Sequence, residues 1–298
     1  MLLLIGATYP PGQQILHRLL EAGHVVRCLT EAPETLRSLD PAPNLMEGSL
    51  HEAETVHQAL RGVSTVVHAG LTVDLPSQRA GRVIDDMGER MLIDLAVEVG
   101  IQHLLLVSSA MARRQHPVDV MRTAHAVEEY LIASEVPHTI LQPAPLMETW
   151  VVRTVEPISY EGKASILGKG TNPIAFAAAA DVADAVDKQL EHGPSNKRQV
   201  LRGPEALSLR EVAALHESVT QERFKLSRLQ RPLVRIMERI MQRANPSVGR
   251  LVTAALDLDI APLAFADVPD AEVGTTTVED FIRQHYANTL PGGITARS

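Results

Sequence analysis

The feature that most constrains this chain is the rhythm of its first 143 residues, where short apolar runs alternate with segments of helical period. "LLLIG" (2–6), "HVVRCL" (24–29), "NLMEG" (44–48), "STVVHAG" (64–70), "HLLLVSS" (103–109) and "HTILQP" (138–143) read as buried strands. Between them, "GQQILHRLLEAG" (12–23) reads as a helix closed by Gly23, with further helices from Gln78 to Val99 and over 119–134. Strands that are apolar throughout, separated by amphipathic helices, predict a parallel sheet covered on both faces. Right-handed crossovers then make it a doubly wound α/β fold, Rossmann-like in outline.

After Pro143 the rhythm changes. "PAPLMETWVV" reads as a loop entering a helix, and "ISYEGKASILGKGTNPIAF" as irregular or short-strand structure. "AAAADVADAVDKQLEHG" is a helix with Asp181 as its candidate cap and Gly193 as its stop. "RQVLRG" is a strand and "SLREVAALHESVT" a capped helix. The expected division is a dinucleotide-fold domain over 1–150 and a smaller C-terminal α/β lobe over 151–298. That lobe would cover the carboxyl ends of the strands, where such sheets bind ligands, and could lend strands to the sheet.

Composition removes several classes. Of 298 residues, 45% are hydrophobic and 21% charged, ordinary for a globular chain. A net charge of −8 argues against a nucleic-acid partner. The single cysteine, Cys28, excludes a disulfide framework and reads as a small core residue in a reducing compartment. No apolar stretch reaches the roughly 20 residues of a membrane helix, and "MLLLIGAT" lacks the charged start of a signal peptide. The expectation is a soluble, cytoplasmic protein. The histidines show no metal-ligand spacing, so no metal is expected.

"GATYPPG" (6–12) links the first strand to the first helix, and "EAGHVVRCL" follows at family distance. With "ALRGVSTVVHAG", "LAVEVGIQHLLLVSS" and "VEEYLIASEVPHTILQPAPLMET", these stretches resemble the NmrA-like branch of the atypical short-chain dehydrogenases. The resemblance covers residues 1–150 and implies a nucleotide site built from Gly6, Thr8, Tyr9, Gly12 and Glu31. Several of these positions depart from the family pattern. Tyr9 stands where the family has a glycine that lets the backbone approach the pyrophosphate. Pro10 and Pro11 stand where backbone N–H groups would face it, and proline has none. Two charge-assisted bonds, each worth roughly 1.5–3 kcal/mol, are at stake. Either the loop shifts so that other donors substitute, or the cradle is lost. Glu31 replaces the arginine that would pair with a 2′-phosphate, so a dinucleotide, if bound, would be NAD over NADP; the expectation is no cofactor.

The resemblance also marks catalytic positions. The superfamily uses Y-x-x-x-K supported by a serine after strand five, here Ser108 or Ser109. Counting back from Glu128 to the family lysine lands on Ala124, and no lysine occurs between residues 51 and 162. His125 beside it and His68 at the end of strand four are candidate bases, each weighed against a packing role. His116, in the "RRQHP" loop, is a candidate ligand contact, with solvent exposure as the default expectation. Met111, Pro143, Met147 and Trp150 are candidate substrate contacts for a small hydrophobic molecule, with Trp150 equally a core anchor. Arg27 is expected to point away from any cofactor.

Residues 225–250 hold seven basic residues against one acid, Glu238. Arg231, Arg235, Arg239 and Arg243 fall at i+4 spacing, beside an apolar face, with Pro232 to start a helix and Pro246 to stop it. This is either a packed helix with a solvated arginine face or a docking face, at Arg235, Arg239 and Arg243, for an acidic protein or a membrane surface. "GKGTNPIAF…DVADAV…GPEALSLREVAAL…TTTVEDFIRQHY" resembles the NmrA-like branch that includes the photosystem II assembly factors, which implies action through partners. The leading functional expectation is a protein that has lost hydride transfer and binds or converts a small molecule without redox chemistry. The alternatives are an NAD(H)-dependent reductase of a hydrophobic carbonyl or enone, and a non-catalytic regulatory or assembly partner.

Overall fold

The computed structural model describes residues 1–69 and 86–286. Along the chain come β1 (Leu2–Ile5), α1 (Pro10–Glu21), β2 (Val26–Thr30), β3 (Asn44–Glu47), α2 (Ala53–Leu60), β4 (Thr65–His68), α3 (Met87–Glu98), β5 (His103–Val107), α4 (Asp119–Ala133) and β6 (His138–Pro143). They are followed by α5 (Met147–Glu161), β7 (Lys163–Leu167), α6 (Ala179–His192), β8 (Arg198–Arg202) and α7 (Leu209–Thr220). The chain then forms β9 (Lys225–Leu229), α8 (Arg231–Ala244), α9 (Pro246–Leu258), β10 (Glu272–Val273) and α10 (Val278–Tyr286). The part of the helix expected from Gln78 to Val99 that lies before residue 86 falls outside the described residues.

Two compact units result. The first takes in the described chain up to Pro143 and then Ala179–Leu201; the second takes Ala144–Ala178 and the chain from Arg202 onward. The break thus falls where β6 ends, ahead of residue 150, and the chain returns to the first unit for α6 and β8. Ion pairs fix α6 there: Arg18 of α1 meets Asp184 at 3.0 Å and Asp187 at 2.9 Å.

In the first unit the strands lie in the order β8-β6-β5-β4-β1-β2-β3, every neighbouring pair parallel. The order reverses between β1 and β4, where Ile5 is in register with His68, making that junction the switch point of a doubly wound sheet. Leu3, Ile5, Leu104, Leu106 and Ile140 pack with Val56, Leu92 and Val127 from α2, α3 and α4 on one face. Leu2 and Leu4 are buried as well, so β1 is apolar on both sides, as the continuous run "LLLI" requires. Cys28 is fully buried, and burial pushes its thiol up to about 12.

In the second unit β7 and β9 form a parallel two-stranded sheet. Helix α5 runs through Glu161 despite Pro157, so the helix extends where irregular structure was expected. Proline removes only the N–H that would bond the Arg153 carbonyl, a loss the rest of the helix absorbs. Asp181 lies inside the first turn of α6 instead of capping it. Ser208 does cap α7: its hydroxyl accepts the Glu211 N–H, and the Glu211 carboxylate accepts the Ser208 N–H at 2.8 Å, a reciprocal capping box. Pro246 ends one helix and opens the next, with the Asn245 side chain capping α9. The buried Asp259 carboxylate accepts the Gly170 N–H at 2.7 Å and the Lys169 N–H at 3.0 Å and pairs with Arg231 at 3.1 Å, tying the end of β7 to the start of α8.

Candidate functional site

The turn from β1 to α1 keeps the backbone shape of a dinucleotide loop. Gly6 has φ +89°, open to glycine at little cost. A Cβ on Gly12 would lie 2.0 Å from the Gly6 carbonyl oxygen, so only glycine lets the helix start ride this closely on the strand end. Tyr9 is the N-cap with extended backbone, and Pro10 and Pro11 occupy the first two helical positions.

The donors of this turn are another matter. The Tyr9 N–H donates to the Gly6 carbonyl at 3.3 Å, and the Gln13 N–H donates to the Tyr9 carbonyl at 2.7 Å. Pro10 and Pro11 have no N–H to give. The half-buried Thr8 has its carbonyl bonded by the Gln13 side chain at 3.2 Å. A pyrophosphate is held at a helix N-terminus by first-turn amides. The loop therefore fits a dinucleotide in shape, whereas the amides at 9, 10 and 11 are engaged or missing. Glu31 is exposed just past β2. Arg27 is committed elsewhere: its Nη1 donates to the Ala59 and Arg61 carbonyls at 2.7 and 2.9 Å, capping the end of α2.

Beyond β5 the structure holds a polar cluster that the sequence reading did not find. Glu128, on α4, is completely buried. Its carboxylate accepts the Ser108 hydroxyl at 2.5 Å, the Gln142 amide at 2.9 and 3.0 Å, and the Arg198 Nε at 2.7 Å. Arg198 also pairs with Glu129. A buried carboxylate is tolerated only when paired and hydrogen-bonded in this way. The readable signal was Glu128 itself, a charge on the same α4 stripe as Ala124 and Leu131, both fully buried.

Ser109 is half-buried, and its hydroxyl accepts the Met111 N–H at 3.1 Å. His68 ends β4 with 2% exposure, and burial pushes its imidazole down to about 4, so it is neutral at pH 7. His125 is half-exposed on α4 beside the buried Ala124. His116, expected in solvent, is buried instead, because its Nδ1 accepts the Val118 N–H at 3.0 Å where the chain enters α4. Met111, Pro143, Met147 and Trp150 are all buried, Met147 completely. Pro143 also accepts the Ala110 N–H at 2.9 Å through its carbonyl. Met111 and Pro143 belong to the first unit, Met147 and Trp150 to the second.

Residues 6–193, more than half of the chain, match the profile of the NAD(P)H-binding family. The chain belongs to the NAD(P)H-binding family. Within it, the resemblance to the NmrA-like branch read from residues 1–150 holds. The photosystem II assembly factor Ycf39 of Synechocystis sp. is 26% identical, over 97% of this chain and 91% of that protein. A (4-alkanoyl-5-oxo-2,5-dihydrofuran-3-yl)methyl phosphate reductase of Streptomyces griseus is 29% identical, over 72% of each. Among solved structures, an NADPH-dependent quinone oxidoreductase of Escherichia coli in complex with NADPH superposes with a TM-score of 0.76 at 18% identity, covering 96% of this chain and all of that one. That likeness is one of fold.

Proposed function

We propose that this member of the NAD(P)H-binding family has given up hydride transfer and works by binding, in the manner of an assembly or regulatory protein. The observation that carries the reading is the first turn of α1, where Pro10 and Pro11 supply no amide and the Tyr9 amide is turned back onto Gly6. Ala124 at the position of the family lysine points the same way. Its methyl group is fully buried and cannot tune a proton transfer. The similarity to Ycf39, named as an assembly factor, extends over nearly the whole chain and adds support.

Conversion of a small molecule without redox chemistry is less well supported. The Ser108 hydroxyl is spent on Glu128, and His68 is buried and neutral. The second reading is a reductase, favoured by relatives named as reductases, among them an NAD(P)H azoreductase of Xenophilus azovorans, 28% identical over 72% of each chain. The test is oxidation of NADH and NADPH with quinone and azo-dye acceptors. The binding reading expects no turnover above the protein-free rate. Turnover that scales with protein and is lost in Gly12→Val would overturn it and establish the reductase.

A further inference from the structure

Helix α8 is unlike every other helix described in this chain. Over 14 residues only Val234 is buried. Leu233, Ile236 and Ile240 are 57%, 54% and 56% exposed. Arg235, Arg239 and Arg243 are exposed too, and none is ion-paired among the described residues. At ~100° per residue the three aliphatic side chains span about 60° of the helix surface, and the three arginines occupy roughly the next 80°.

The opposite edge is the one that packs. Gly249 of α9 lies so close that a Cβ there would meet the Gln242 Cα at 2.8 Å. On that edge Glu238 accepts the Thr253 hydroxyl at 2.5 Å and the Gln242 amide at 3.3 Å. The one acid of the helix thus faces α9 and leaves the outward arginine row uncompensated. At the N-terminal end of α8 a hollow of about 550 Å³ is lined by Lys169, Leu226 and Arg231, with Gly168 and Gln230.

We infer that α8 is an interfacial helix that lays its Leu233–Ile236–Ile240 edge on an anionic lipid bilayer while Arg235, Arg239 and Arg243 engage lipid phosphates. A helix that exposes aliphatic residues between solvent and a cationic row satisfies both in one environment, the boundary between acyl chains and negatively charged headgroups. The exposed edge runs along one helix for about 15 Å from Leu233 to Arg243. No described helix is long and apolar enough to cross a membrane, so the contact is peripheral. This inference stands on α8 and is independent of the nucleotide reading.

The experiment is flotation of the full chain with phosphatidylcholine vesicles, with and without about 30% phosphatidylglycerol, at about 50 mM and about 500 mM salt. The protein should float with the anionic vesicles at low salt and stay behind with the neutral ones. At about fivefold per cationic residue, Arg235→Glu/Arg239→Glu/Arg243→Glu should lower partitioning at least about a hundredfold. Leu233→Gln/Ile236→Gln/Ile240→Gln should lower it about tenfold or more. Because a triple variant can misfold, Ile240→Cys carrying a polarity-sensitive dye is the second measurement, Cys28 being buried. Its emission should shift to the blue on adding anionic vesicles. Failure to float at low salt, flotation that survives both triple variants, or a dye that does not shift overturns the inference. So does binding to polyglutamate without binding to vesicles, which would assign the face to an acidic protein.

Discussion

The Ser108 hydroxyl donates to the Glu128 carboxylate at 2.5 Å in the interior of the first unit. The serine that follows β5, which the family pattern marks for catalysis, here serves as one of three donors holding a fully buried anion.

That arrangement predicts unequal costs of mutation. Glu128→Ala should destabilise the protein by about 3–5 kcal/mol, because Arg198, Gln142 and Ser108 all lose their acceptor. Ser108→Ala should cost only about 1 kcal/mol, since two donors to the carboxylate remain. Urea unfolding checks both. Equal costs for the two variants would mean that the cluster is not organised around the carboxylate.

Burial pushes His68 and His103 down to about 4, with the neighbouring His138 adding to the effect on His103. In the unfolded chain these imidazoles take up protons near pH 6.5. Below that pH the unfolded state binds protons that the folded state refuses, so stability should fall as pH drops from about 6.5 toward 4. The slope is at most ~1.4 kcal/mol per pH unit for each histidine. His68→Leu should flatten the pH dependence of the urea midpoint between pH 7 and pH 5. An unchanged slope would show that His68 titrates normally.

The capping box of α7 yields a prediction of the same sign in a lower pH window. Hydrogen bonds from the Ser208 hydroxyl and backbone hold the Glu211 carboxyl below its ordinary range. Its contribution is therefore present above pH 4.5 and is lost as pH falls through the lower folded value. Ser208→Ala should cost about 1 kcal/mol at neutral pH, and the difference in Tm should shrink at about pH 3. A gap that stays constant across that range would contradict the box.

Much of this was legible from sequence where burial is two-sided. The runs that became β1, β4, β5 and β6 centre on residues that are apolar on both faces, such as Leu2 to Ile5, Val66 and Val67, Leu104 to Val107, and Ile140 and Leu141, so pattern alone located them. β9, "KLSRL", was missed because Lys225, Ser227 and Arg228 break the apolar run of a buried strand. The last turn of α5 was missed because "ISYE" opens a stretch without helical period that reads as irregular. Glu128 escaped notice as a functional or structural residue because its partners, Gln142 and Arg198, are 14 and 70 positions away. The donor deficit at Pro10 and Pro11 was readable, whereas the turning of the Tyr9 amide onto Gly6 depends on the backbone conformation of the turn.

The most direct test of the central claim is calorimetric titration with NADH and NADPH of the unmodified chain and of Tyr9→Gly/Pro10→Phe/Pro11→Ile, which restores glycine at 9 and amides at 10 and 11. The account predicts no detectable binding by the unmodified chain and measurable affinity in the restored loop, since two recovered charge-assisted bonds are worth about a hundredfold or more. Micromolar binding by the unmodified chain, with no gain on restoring the loop, would contradict it.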